Sequence, residues 1–62
     1  MDSSSIISII ERLSLGQTIR VFFDNTSVTG KFQGLKGCTI QVVSSVGNSF
    51  YIPVQNILSI VL

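Results

Sequence analysis

The closing segment SFYIPVQNILSIVL, residues 49–62, narrows the architecture of this chain more than any other stretch. Phe50, Ile52 and Val54 alternate as one face of a strand does, Pro53 removes a backbone donor, and an extended apolar run resumes at Ile57. Two short strands joined by a tight corner at residues 53–56 are predicted. The outer edges of such a pair must either be covered by the chain's own elements or pair with a neighbouring molecule. That alternative governs the functional reading.

With 62 residues the chain is long enough for one domain near the lower limit of independent folding. Its hydrophobic fraction of 45%, against only 11% charged residues, is high for a small soluble monomer that must expose much of its surface. Part of that apolar surplus is expected to face another protein. The charged side chains Asp2, Glu11, Arg12, Arg20, Asp24, Lys31 and Lys36 sum to +1 and are scattered along the chain, so no basic footprint for nucleic acid stands out. No stretch reaches the length of a membrane span, and the first residues lack the basic start and small-residue cleavage site of a signal peptide. Synthesis and retention in the cytoplasm are the corresponding expectation.

Residues 1–5 form a polar lead whose serines can cap a helix. Ile6, Ile9, Ile10 and Leu13 then recur at helical spacing, with Ile7 off the stripe, and Gly16 stands where a helix over residues 4–15 would need its terminal glycine. A docking helix is one reading; a cover over an open barrel end is preferred. After Gly16 the period changes to two. Over residues 18–24, Ile19, Val21 and Phe23 share one face while Phe22 is an aromatic on the other. Asp24, Asn25 and Thr26 supply turn chemistry, and the next strand, residues 27–35, places Val28, Gly30 and Phe32 on one face.

Gly30 and Gly34 interrupt that strand and mark bends where backbones approach. A third strand over residues 39–45 points Ile40 and Val42 inward and Gln41 and Val43 outward, and Gly47 and Asn48 are predicted to make the hairpin turn into residues 49–53. No linker, repeat or charge block separates a second domain. The predicted fold is mostly β: a helix within residues 1–15, then five strongly bent antiparallel strands over residues 17–62 closing into a small barrel.

The chemical inventory is sparse. The chain has no histidine, and its carboxylates lie in the lead, the helix and the first turn, which offers no acid/base pair and no metal-ligand cluster. Cys38 is the sole cysteine, so an internal disulfide is impossible and a crosslink between chains is the covalent option. As a nucleophile it would need an activating group, and only Lys36 is near in sequence. Glycines 30, 34 and 37 lack the spacing and the following Lys-Ser/Thr of a phosphate loop. Neither enzymatic activity nor a cofactor is expected.

The order of helix, long bent strand with internal glycines and terminal proline-corner strand resembles the Sm-like fold, a small SH3-like barrel. The segment SVTGKFQGLKGCTIQVV is similar to the polar turn, glycine, apolar, glycine, strand pattern of such proteins. The closing FYIPVQNILSI resembles an uncharacterised family of short proteins in spore-forming Firmicutes related to a spore-coat protein domain, in which a Tyr-Ile-Pro-like segment precedes a final Ile-x-x-Ile. The resemblance covers residues 13–62. It implies a barrel that associates by pairing its last two strands with a neighbour, as Sm-like rings do, and a spore-layer setting with other spore-layer proteins as partners.

Bacterial Sm-like RNA chaperones carry a Tyr-Lys-His run before the last strand. Pro53, Val54 and Gln55 stand at the matching positions, without cation or imidazole.

The leading expectation is therefore a non-enzymatic, self-associating structural protein, forming rings or filaments through Phe50, Tyr51, Ile52, Leu58, Ile60 and Val61, with Cys38 as the site of any crosslink. The alternative is an oligomeric RNA-binding ring, in which Gln41, Gln55 and Asn56 would bond to bases while Phe22 and Tyr51 stack on them.

Overall fold

The computed structural model describes residues 3–62. One helix, α1 (Ser3–Glu11), precedes five strands: β1 (Thr18–Phe23), β2 (Thr26–Lys36), β3 (Thr39–Val43), β4 (Ser49–Pro53) and β5 (Ile57–Val61), with a single 3₁₀ turn, Val54–Asn56, between the last two. Met1 and Asp2, the start of the expected capping lead, lie outside the described residues. The strands form one antiparallel sheet in the order β4-β3-β2-β1-β5. The sheet is not closed: β4 and β5 are its two edges.

The helix ends four residues earlier than expected. Arg12 N–H donates to Ile9 C=O and Leu13 N–H to Ile10 C=O, the tightened bonding of a terminating helix. A turn follows, in which Gln17 N–H donates to Ser14 C=O while the Gln17 side-chain oxygen accepts Ser14 N–H, each at 3.0 Å. Gly16 is therefore not a helix cap. Its N–H donates to Phe32 C=O at 2.7 Å and Phe32 N–H donates to Gln17 C=O at 2.9 Å, so two residues oppose one. That is a bulge at the entrance to β1, and it uses the positive φ of +84° that glycine adopts freely. The buried helix face also differs: Ile6 and Ile10 are buried and Ile7 and Leu13 pack against the core, whereas Ile9 is exposed. The helix packs on β5 and the 3₁₀ turn, so its inward face is set by that contact rather than by the i, i+3 stripe.

Inside, Ile19, Val21, Phe32, Ile40, Val42, Ile52, Val54 and Ile57 join Ile6 and Ile10 in one apolar core, with no polar or charged residue buried among the described residues. The period-two faces read from β1, β2 and β3 are those observed. β2 runs longer than expected, taking in Thr26 and Lys36, and stays continuous by irregularity. A register shift between Phe32 and Gly34 leaves Gln33 as the extra residue, with Gly34 at φ +143°.

The β1–β2 loop is Asp24–Asn25, with Asp24 at φ +52°. The β3–β4 turn falls earlier than predicted. Gly47 N–H closes on Ser44 C=O and Ser44 N–H donates to Asn48 C=O, so the loop is residues 45–47 with Gly47 at φ +91°. A three-residue loop needs its glycine at the last, left-handed position.

Candidate assembly edges

Polar main-chain groups on the two edges can be assigned from the bonds that flank them. Ser44 N–H donates to Asn48 C=O at 2.8 Å and Val54 N–H to Cys38 C=O at 2.7 Å, one at either end of the β3–β4 ladder. Antiparallel alternation between these bonds commits the backbone of Ile40, Val42, Phe50 and Ile52 to the β3–β4 seam. Ser49, Tyr51 and Pro53 turn theirs outward, and Pro53 has a carbonyl only.

The same reasoning applies at the other edge. The Phe32 to Gln17 bond sets Ile19 and Val21 toward β2 and leaves Arg20 and Phe22 facing β5. Val61 and Ser59, opposite Arg20 and Phe22, point back at β1, and Ile60 points out. Leu58 is the extra residue of a register shift and has no partner on β1.

Of the residues expected to form an interface, Tyr51 (67% exposed), Leu58 (61%) and Val61 (51%) present side chains to solvent. Phe50 and Ile60 are partly buried against the core. Ile52 is 3% exposed: its side chain anchors β4 inside the protein, and its backbone is spent on β3. Its part is to fix the strand to the core, not to touch a neighbour. The two sets, residues 50–52 and 58–61, lie on opposite edges and do not meet within one chain.

Missed by the sequence reading were Ser49 and Pro53, whose carbonyls share the outward edge with Tyr51, and Leu62, 71% exposed beyond β5. Their signal was parity with Tyr51 and Ile60, which has meaning only once the pairing partners are known. The edges also share one chemical property: no charged residue follows Lys36. Natural sheet edges are commonly blunted by lysine, proline or a bulge. Here Pro53 and the Leu58 irregularity limit edge length, and no charge guards either strand.

The residues of the RNA alternative are split. Gln41 and Tyr51 are cross-strand partners lining a groove of about 390 Å³ with Gln33, Gly34, Leu35, Lys36 and Thr39. Phe22 lies on β1 beside Leu58 and the Asp24–Asn25 loop, while Gln55 and Asn56 are exposed on the 3₁₀ turn. Cys38 is a free, exposed thiol in the β2–β3 hairpin, and its carbonyl holds the start of the 3₁₀ turn. Among the described residues no group of three or more His, Cys, Asp or Glu gathers as a metal site, and no helix is long and apolar enough to cross a membrane. No family model matches the chain, and neither a curated protein nor a solved structure matches it.

Proposed function

We propose that this protein is a non-enzymatic structural subunit, an Sm-like small barrel left open at one seam, which assembles head to tail by pairing β4 of one copy with β5 of the next. The reading is supported above all by one observation: a single sheet ends in two uncharged edges, each with outward main-chain groups and exposed apolar side chains. Pairing of unlike edges is heterologous, so it gives a ring where the rotation closes and a filament where it does not.

Magnitudes decide what must drive it. A few edge hydrogen bonds contribute about 1 kcal/mol each. Lost translational and rotational freedom costs roughly 4–15 kcal/mol. Burial of Tyr51, Leu58 and Val61 must therefore supply much of the difference. A spore-layer setting rests on the resemblance of the closing segment alone.

The test is the mass of the purified protein by light scattering, combined with electron microscopy after nuclease treatment. Rings or filaments in nuclease-treated material are expected. A monomer at high concentration would overturn the proposal, and rings that disperse with nuclease would transfer it to the RNA-binding alternative.

A further inference from the structure

The charges that look scattered in the sequence are sorted by the fold. Arg20, Lys31 and Lys36 all project from the outer face of the sheet and are exposed. Among the described residues the carboxylates are elsewhere, Glu11 on α1 and Asp24 in the β1–β2 loop. Between β1, β2 and the end of β3 this face holds a groove of about 340 Å³ lined by Thr18, Thr29, Lys31, Gln33, Ser44 and Ser45, with backbone at Gly30 and the Val43 side of β3 forming the rest of its wall.

Register explains the gathering. Thr18, Lys31 and Val43 form one row across three strands, and Thr29 lies two residues before Lys31 on the same face of β2, diagonal to Thr18.

We propose that this groove binds a phosphate group, carried free or as a small monoester. The lining is a cation surrounded by hydroxyls, and two of those hydroxyls have their acceptor side already engaged. Thr29 Oγ1 accepts from Arg20 Nε at 3.1 Å, and Ser44 Oγ accepts from Asn48 N–H at 3.2 Å. Each carries an O–H donor besides the bond it accepts. A cation among hydroxyl and amide donors, with no carboxylate in the lining, suits a ligand rich in acceptors, which is the chemistry of a phosphate oxygen. The Arg20 bond also holds a second cation beside the wall of the groove. Because the groove lies on β1–β3, away from both edges, it stays open whether or not copies pair, and its test is independent of assembly.

The experiment is an amide-resolved NMR titration of the whole protein with inorganic phosphate and, separately, with glycerol 3-phosphate, against sodium chloride at matched ionic strength. Saturable shifts confined to Thr18, Thr29, Lys31, Ser44 and Ser45 are expected. Lys31→Gln, an exposed substitution whose folding the same spectra verify, should weaken binding roughly tenfold, as loss of one charge-assisted hydrogen bond does. Lys36→Gln, outside the groove, should leave it unchanged. Tighter binding of glycerol 3-phosphate identifies a monoester as the ligand, and equal binding identifies free phosphate. Shifts that match those in chloride, or equal losses in Lys31→Gln and Lys36→Gln, would overturn the proposal.

Discussion

A Cβ built on Gly30 would fall on the carbonyl oxygen of Val43 and 2.8 Å from its carbonyl carbon. The obstruction is main chain of the neighbouring strand, so no side-chain rotation relieves it. This close approach lets β2 carry β3 tightly over the core. Gly30→Ala is expected to destabilise the protein by about 1–3 kcal/mol, the usual cost of overpacking, measured by chemical denaturation. An unchanged midpoint would mean that the strands part at little cost.

Proline substitutions separate the two sides of β5. Ile60→Pro removes a donor that points away from β1, where an edge strand tolerates proline, so the circular dichroism spectrum should persist while the assembly mass falls. Ser59→Pro removes a donor that points into the β1–β5 seam and should instead unfold the strand. Full-size assemblies in Ile60→Pro would exclude β5 pairing.

Val61→Lys tests the missing charge. The side chain is exposed and its backbone faces β1, so the fold should be kept. A lysine set against the uncharged β4 edge of the next copy loses hydration without gaining a partner, which should weaken association at least tenfold by light scattering.

Ile40 is fully buried in the middle of the core. Ile40→Ala should cost about 2–5 kcal/mol. For a domain of this size total stability is on the order of 5 kcal/mol, so the variant should be largely unfolded when dilute. If assembly contributes to stability, its melting temperature should rise with protein concentration, and a concentration-independent value would count against that contribution.

Much of the inner fold was legible because it depends on local alternation. Ile19 and Val21, Ile40 and Val42, and Phe50 and Ile52 are placed by period two alone, and the proline corner by the missing donor of Pro53. The helix was less legible. Its stripe admits Ile9, yet docking on β5 and the 3₁₀ turn packs Ile7 against the core instead, a preference that only the packed partner creates. Gly16 illustrates the same limit: a glycine at positive φ serves a helix end or a strand bulge equally well, and its hydrogen bond to Phe32 decides between them.

Sequence alone determined which strand residues face inward and that the last part of the chain carries no charge, since these follow from side-chain chemistry and near-neighbour spacing. Tertiary structure decided that β5 leaves its neighbour in sequence and pairs with β1, that Tyr51 and Ile60 direct their main-chain groups outward, and that Lys31 lines one groove with Thr18, Thr29 and Ser44. Those facts arise from pairing between distant segments, and a one-residue slip of register would reverse the last two of them without changing any local preference.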